Sequence, residues 1–76
     1  MMSPGVQQHW QERLKAALAR WQEAGVRARE TAIERLILPP PDGYLAHKQA
    51  LHEETEALRE YKRLLTEFAR LRNEAF

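Results

Sequence analysis

Apolar residues recur at helical spacing on both sides of a run of three prolines. Before the run, Trp10, Leu14, Leu18, Trp21, Gly25, Ala28, Ala32 and Leu36 fall within about 40° of a common direction at roughly 100° per residue. This predicts a helix over residues 4–38 whose core stripe is bulky at its ends and small in its middle. Ser3 followed by Pro4 is a start signal: the hydroxyl accepts an orphan N–H and the proline pre-sets φ for the first turn. Gly25 lowers helix propensity by about 1 kcal/mol relative to alanine, so it reads either as a tolerated weak spot or as a place where another helix comes close. After the run, Tyr44, Leu51, Leu58 and Leu65 recur by sevens beside His47, Glu54, Tyr61 and Phe68. That order predicts a second helix over 43–75, with Asp42 as its N-cap and Leu64 and Leu71 broadening the seam late.

Pro39, Pro40 and Pro41 cannot continue a helix, because they lack N–H donors and push the preceding residue out of the α region. As polyproline II they span about 9 Å, close to the 8 to 10 Å between packed helix axes. The expected fold is all-α: one domain, residues 1–76, forming an antiparallel two-helix hairpin. Folding at the prolines brings Trp10 near Leu71, Leu14 near Phe68, Trp21 near Tyr61, and Gly25 to Ala32 near Glu54, Leu51 and His47. The expected core is Trp10, Leu14, Leu18, Trp21 and Leu36 against Leu51, Leu58, Tyr61, Leu65 and Phe68, with Trp21 strongly buried.

Val26, Ile33 and Ile37 lie about 100 to 140° round from the stripe, a second apolar line in the later half of the first helix. A two-helix hairpin has one inward face, so these three are the expected partner interface, toward a second copy or a larger protein. A homodimer would complete a four-helix bundle. The other reading is that the core stripe widens near the turn and Ile37 folds under the prolines.

With 76 residues there is room for one thin core, because a chain of this size buries only around 60 to 65 % of its unfolded surface. The cysteine count of 0 removes disulfides and thiolate metal sites as compensation. Lys and Arg number 12 against 11 Asp and Glu, so the chain lacks the basic excess of nucleic-acid modules and of proteins drawn to anionic membranes. Nucleic acid is therefore not the expected partner. No stretch is long and apolar enough to span a bilayer, and Met1-Met2-Ser3-Pro4-Gly5 does not open a signal peptide. The expectation is a soluble, cytoplasmic protein with no membrane association. Its Arg, Ala and Glu enrichment is common in GC-rich bacterial genomes.

Candidate chemistry is sparse. His47 and Glu54 share the inner face and His52 with Glu56 lies outside, but neither matches the paired Glu-x-x-His pattern of bundle di-iron sites. No metal and no cofactor are expected; a histidine bonded to a carbonyl or carboxylate is the ordinary arrangement. Arg29 is the natural partner for Glu54. Ser3 is the only serine and sits at a helix start, there is no Gly-rich phosphate loop, and the tryptophans lie on the core stripe, so no enzyme activity is expected. The geometry, without any shared motif, is similar to that of small bacterial helical hairpins that dimerise. The expected function is a non-catalytic protein–protein interaction module: an accessory subunit, adaptor or co-chaperone. The alternatives are a dimeric bundle that binds RNA through Arg13, Arg20 and Arg27 or Arg59, Arg63 and Arg70, and a bundle metal-binding protein.

Overall fold

A computed structural model describes residues 3–75. The chain is an all-α helical hairpin: α1 (Pro4–Ile37) and α2 (Asp42–Ala75) pack against each other along a rod with extents of 57 × 16 × 11 Å. The Ser3 hydroxyl accepts from the Val6 N–H at 3.3 Å and its carbonyl from the Gln7 N–H at 3.0 Å. α1 stops one residue before the expected boundary, since Leu38 precedes a proline and is extended; its N–H still donates to the Glu34 carbonyl at 2.8 Å. The Pro40–Pro41 peptide is cis, in place of the expected polyproline II run. Asp42 lies in the first turn of α2 rather than before it, with its charge at the positive end of the helix dipole.

Cross-helix pairs confirm the antiparallel register. Trp10 and Phe68 meet with ring centroids 6.0 Å apart, Trp21 and Tyr61 stack at 5.9 Å, and Thr31 reaches His47 at 3.2 Å. The rotation of both helices about their axes differs from the expected one. The seam of α1 runs through Trp10, Leu14, Ala17, Trp21, Ala24, Ala28 and Thr31, and that of α2 through Gly43, His47, Ala50, Glu54, Ala57, Tyr61, Leu64, Phe68 and Leu71. Both are strict 3-4 heptad ladders, with small residues at alternate rungs from Ala17 to Thr31 on α1 and from Gly43 to Ala57 on α2, where Leu64 and Leu71 then take over; Ala50 and Ala57 are only 1 % exposed.

Three expected core residues are therefore displaced. Leu36 is 86 % exposed, and Leu51 and Leu65 are also exposed. For Leu36 the cause is periodicity: the stripe from Trp10 to Leu36 follows a straight helix, whereas helices in contact over nine turns must hold a repeat of about 3.5. At about 20° per heptad the two repeats part by about 75° between Trp10 and Leu36, and Arg35 takes the site beside Gly43, its guanidinium 5.2 Å from the Tyr44 ring centroid. On α2 the alanine line replaces the line of Tyr44, Leu51, Leu58 and Leu65, so Leu58 is only half-buried. Leu14, Leu18, Trp21, Tyr61 and Phe68 are half-buried, and Trp10 is buried with Ala17 and Leu64. Trp21 stacks where expected but is not strongly buried.

The glycines separate two kinds of contact. A Cβ at Gly25 would meet the Glu54 carboxylate at 3.0 Å, the mobile end of a side chain; one at Gly43 would meet the Arg35 Cα at 3.0 Å and the Glu34 carbonyl at 3.4 Å. The helix backbones come close at Gly43, whereas Gly25 makes room for Glu54. In chemical denaturation Gly25→Ala is expected to stabilise the hairpin by about 0.5 to 1 kcal/mol through helix propensity, and Gly43→Ala to destabilise it, since backbone cannot give way.

Candidate docking surface

The strict seam gives the rod two unlike flanks. In an antiparallel pair the residues just outside the seam on one side of α1 meet their counterparts on the same side of α2. On the first flank stand Arg13, Arg20 and Arg27 of α1 and Glu53, Glu60 and Glu67 of α2. Arg27 approaches Glu53 at 4.0 Å, and Arg20 and Arg13 both act on the Glu60 carboxylate. Further out, Arg63 bonds Glu60 at 2.6 Å and Glu67 at 2.9 Å, and Arg59 bonds Glu56 at 3.0 Å. Among the arginines expected to contact RNA, Arg13, Arg20, Arg27, Arg59 and Arg63 thus have carboxylate neighbours, which a phosphate would have to displace.

The second flank is apolar: Leu18 and Ala32 of α1 face Tyr44, Leu51, Leu58 and Leu65 of α2. It opens at the turn end onto a cluster of exposed side chains that includes Leu36, Leu38 and Leu45. Val26, Ile33 and Ile37 are 45 %, 62 % and 75 % exposed on the outer side of α1. Ile37 is not folded under the prolines. Val26 also edges a shallow depression beside Gly25, shared with Trp21, Arg29 and Glu54. The sequence pattern marks Val26, Ile33 and Ile37 as surface residues but misplaces Leu36, Leu51 and Leu65 in the core; for the two on α2 the signal was the Ala50, Ala57, Leu64 line next to them.

Thr31 and His47 partner each other within the seam. Thr31 donates its hydroxyl proton to the Ala28 carbonyl at 3.0 Å, leaving its oxygen to accept from the His47 Nδ1–H at 3.2 Å. His47 thus bonds a hydroxyl rather than the expected carbonyl or carboxylate. Glu54 and Arg29 flank Gly25 without forming an ion pair within 4.0 Å. Among the described residues no three His, Asp or Glu side chains gather as a metal-holding group, and no helix is long and apolar enough to cross a membrane. No family model, curated protein or solved structure matches the chain.

The hydrogen bond from Arg63 is the main cause that holds the Glu60 carboxyl below its ordinary value, with the charges of Arg63, Arg20 and Arg13 acting in the same direction. Glu60 therefore contributes stability above the unfolded carboxylate pKa and loses it as pH falls through the lowered folded value. In an NMR titration Arg63→Ala is expected to move the Glu60 midpoint upward. An unmoved midpoint would mean that the pair is absent in solution.

Proposed function

We propose that this chain is a non-catalytic protein–protein interaction module, an accessory subunit, adaptor or co-chaperone, that docks through apolar side chains left outside its seam. The observation that carries this reading is the concentration of exposed large side chains near the turn: Ile33, Leu36, Ile37, Leu38, Tyr44 and Leu45. Such a patch in water is unfavourable, and burying an aliphatic side chain is worth about 1.5 to 3 kcal/mol, so a few of them decide a small interface. The seam is already filled by Trp10, Ala17, Ala28, Ala50, Ala57 and Leu64, so their burial has to come from another molecule, a second copy or a larger protein.

The test is Ile33→Glu with Ile37→Glu. The double variant is expected to lose self-association in light scattering, or its partner in pull-down, while its circular dichroism stays that of a helical hairpin, because both sites are exposed. A wild-type chain that is monomeric, with a double variant that keeps every partner, would refute the proposal.

A further inference from the structure

The apolar flank carries a charge pattern that selects what covers it. Its outer edges hold Lys15 and Arg29 on α1 and Lys48, Lys62 and Arg72 on α2, all exposed. Glu54 alone among the carboxylates borders its depression, beside Arg29 and Gly25. Among the described residues none of these five cations forms an ion pair within 4.0 Å, whereas all the ion pairs lie on the other side of the rod. The nearly balanced net charge of +1 therefore conceals a segregation: an apolar face with a basic rim, and an outer side that holds most of the acids.

The middle of this face is low on α1, where a depression at Gly25 is bordered by Trp21, Val26, Arg29 and Glu54 and Ala32 follows; on α2 Leu51 is exposed and Leu58 half-buried, so the line between the helices reads as a groove. From Leu18 to Leu36 it runs about 27 Å at 1.5 Å per residue, the length of a helix of about 18 residues. A channel between two helices receives a third by ridges and grooves, while a flat bilayer meets only its ridges. A second copy placed face to face would set the basic rim against a basic rim, which is unfavourable.

We infer that this groove receives one helix of a partner protein whose apolar stripe is flanked on both sides by aspartate and glutamate, completing a three-helix bundle. The inference rests on the interaction-module reading and gives the partner its chemistry. Leu18, Leu51, Leu58 and Leu65 supply burial, and Lys15, Arg29, Lys48 and Lys62 fix orientation and exclude partners with basic flanks.

The full chain is titrated with two synthetic helical peptides of about 18 residues. They carry the same leucine stripe and no tryptophan, and differ only in having glutamate or lysine at the flanking positions. Binding is read from the fluorescence of Trp10 and Trp21. The glutamate peptide is expected to bind about tenfold tighter or more at low salt, with the gap narrowing at high salt. Lys48→Glu with Lys62→Glu, at exposed sites, is expected to remove most of this preference while leaving circular dichroism unchanged. Equal binding, preference for the lysine peptide, or binding of neither overturns the inference. So does tight binding to phosphatidylserine vesicles without peptide discrimination, which would give the face to a lipid surface. A wild-type dimer dissolved by Leu51→Glu or Leu65→Glu would give it to a second copy and equally overturn it. If peptide discrimination fails while association sensitive to Ile33→Glu and Ile37→Glu persists, the module reading stands and only the acidic helix falls.

Discussion

The alanine-lined seam, with arginine facing glutamate along one flank, is the constraint on which the rest of the molecule depends. Two rotations of the helices could have been built from this sequence. Turning the leucines of α2 inward would enclose more apolar surface. It would also bring Lys15 and Arg29 of α1 to the edge that meets Lys48 and Lys62 of α2, cation against cation. The rotation adopted sets Arg13, Arg20 and Arg27 against Glu53, Glu60 and Glu67. Exposed ion pairs are individually weak, but opposite signs along one rotation and like signs along the other bias the choice in a single direction. Small side chains at Ala17, Ala24, Ala28, Ala50 and Ala57 let the backbones approach closely enough for that rotation to pack.

The proposed docking surface follows from this choice. Every large side chain that the alanines displace from the seam has to go elsewhere, and Leu18, Leu51, Leu58 and Leu65 land together on the flank opposite the arginine–glutamate rows. The same heptad strictness sends Leu36 outward beside Ile33 and Ile37 at the turn. A hairpin with so thin a core gains more than most domains from a third helix, because docking supplies the burial that its own seam lacks. Specificity and stability then draw on the same residues.

Much of this was legible in the chain. The proline run, the Ser3 start and the sevenfold recurrences locate both helices to within a residue, and the pairing of Trp21 with Tyr61 follows from folding at the prolines. The rotation was harder to read, because hydrophobicity ranks leucine above alanine and α2 offers two lines adjacent to His47, Glu54, Tyr61 and Phe68. The bulky one looks like core. What decides between them is a property of the pair rather than of either helix: alanines facing alanines, and the signs of the residues beside each candidate seam. The outer line of Val26, Ile33 and Ile37 was visible because no rotation of a two-helix hairpin can bury it together with Trp21 and Ala28.

Thiol accessibility tests the seam most directly, since the chain has no cysteine of its own. Single variants Ala57→Cys and Leu65→Cys are labelled in the folded state, at concentrations below any association, and each rate is divided by its rate in denaturant. An alanine seam predicts that the thiol at position 57 reacts about a hundredfold more slowly or worse, through opening alone, while that at position 65 reacts near its unfolded rate. The reverse order would place the leucine line inside and contradict the account.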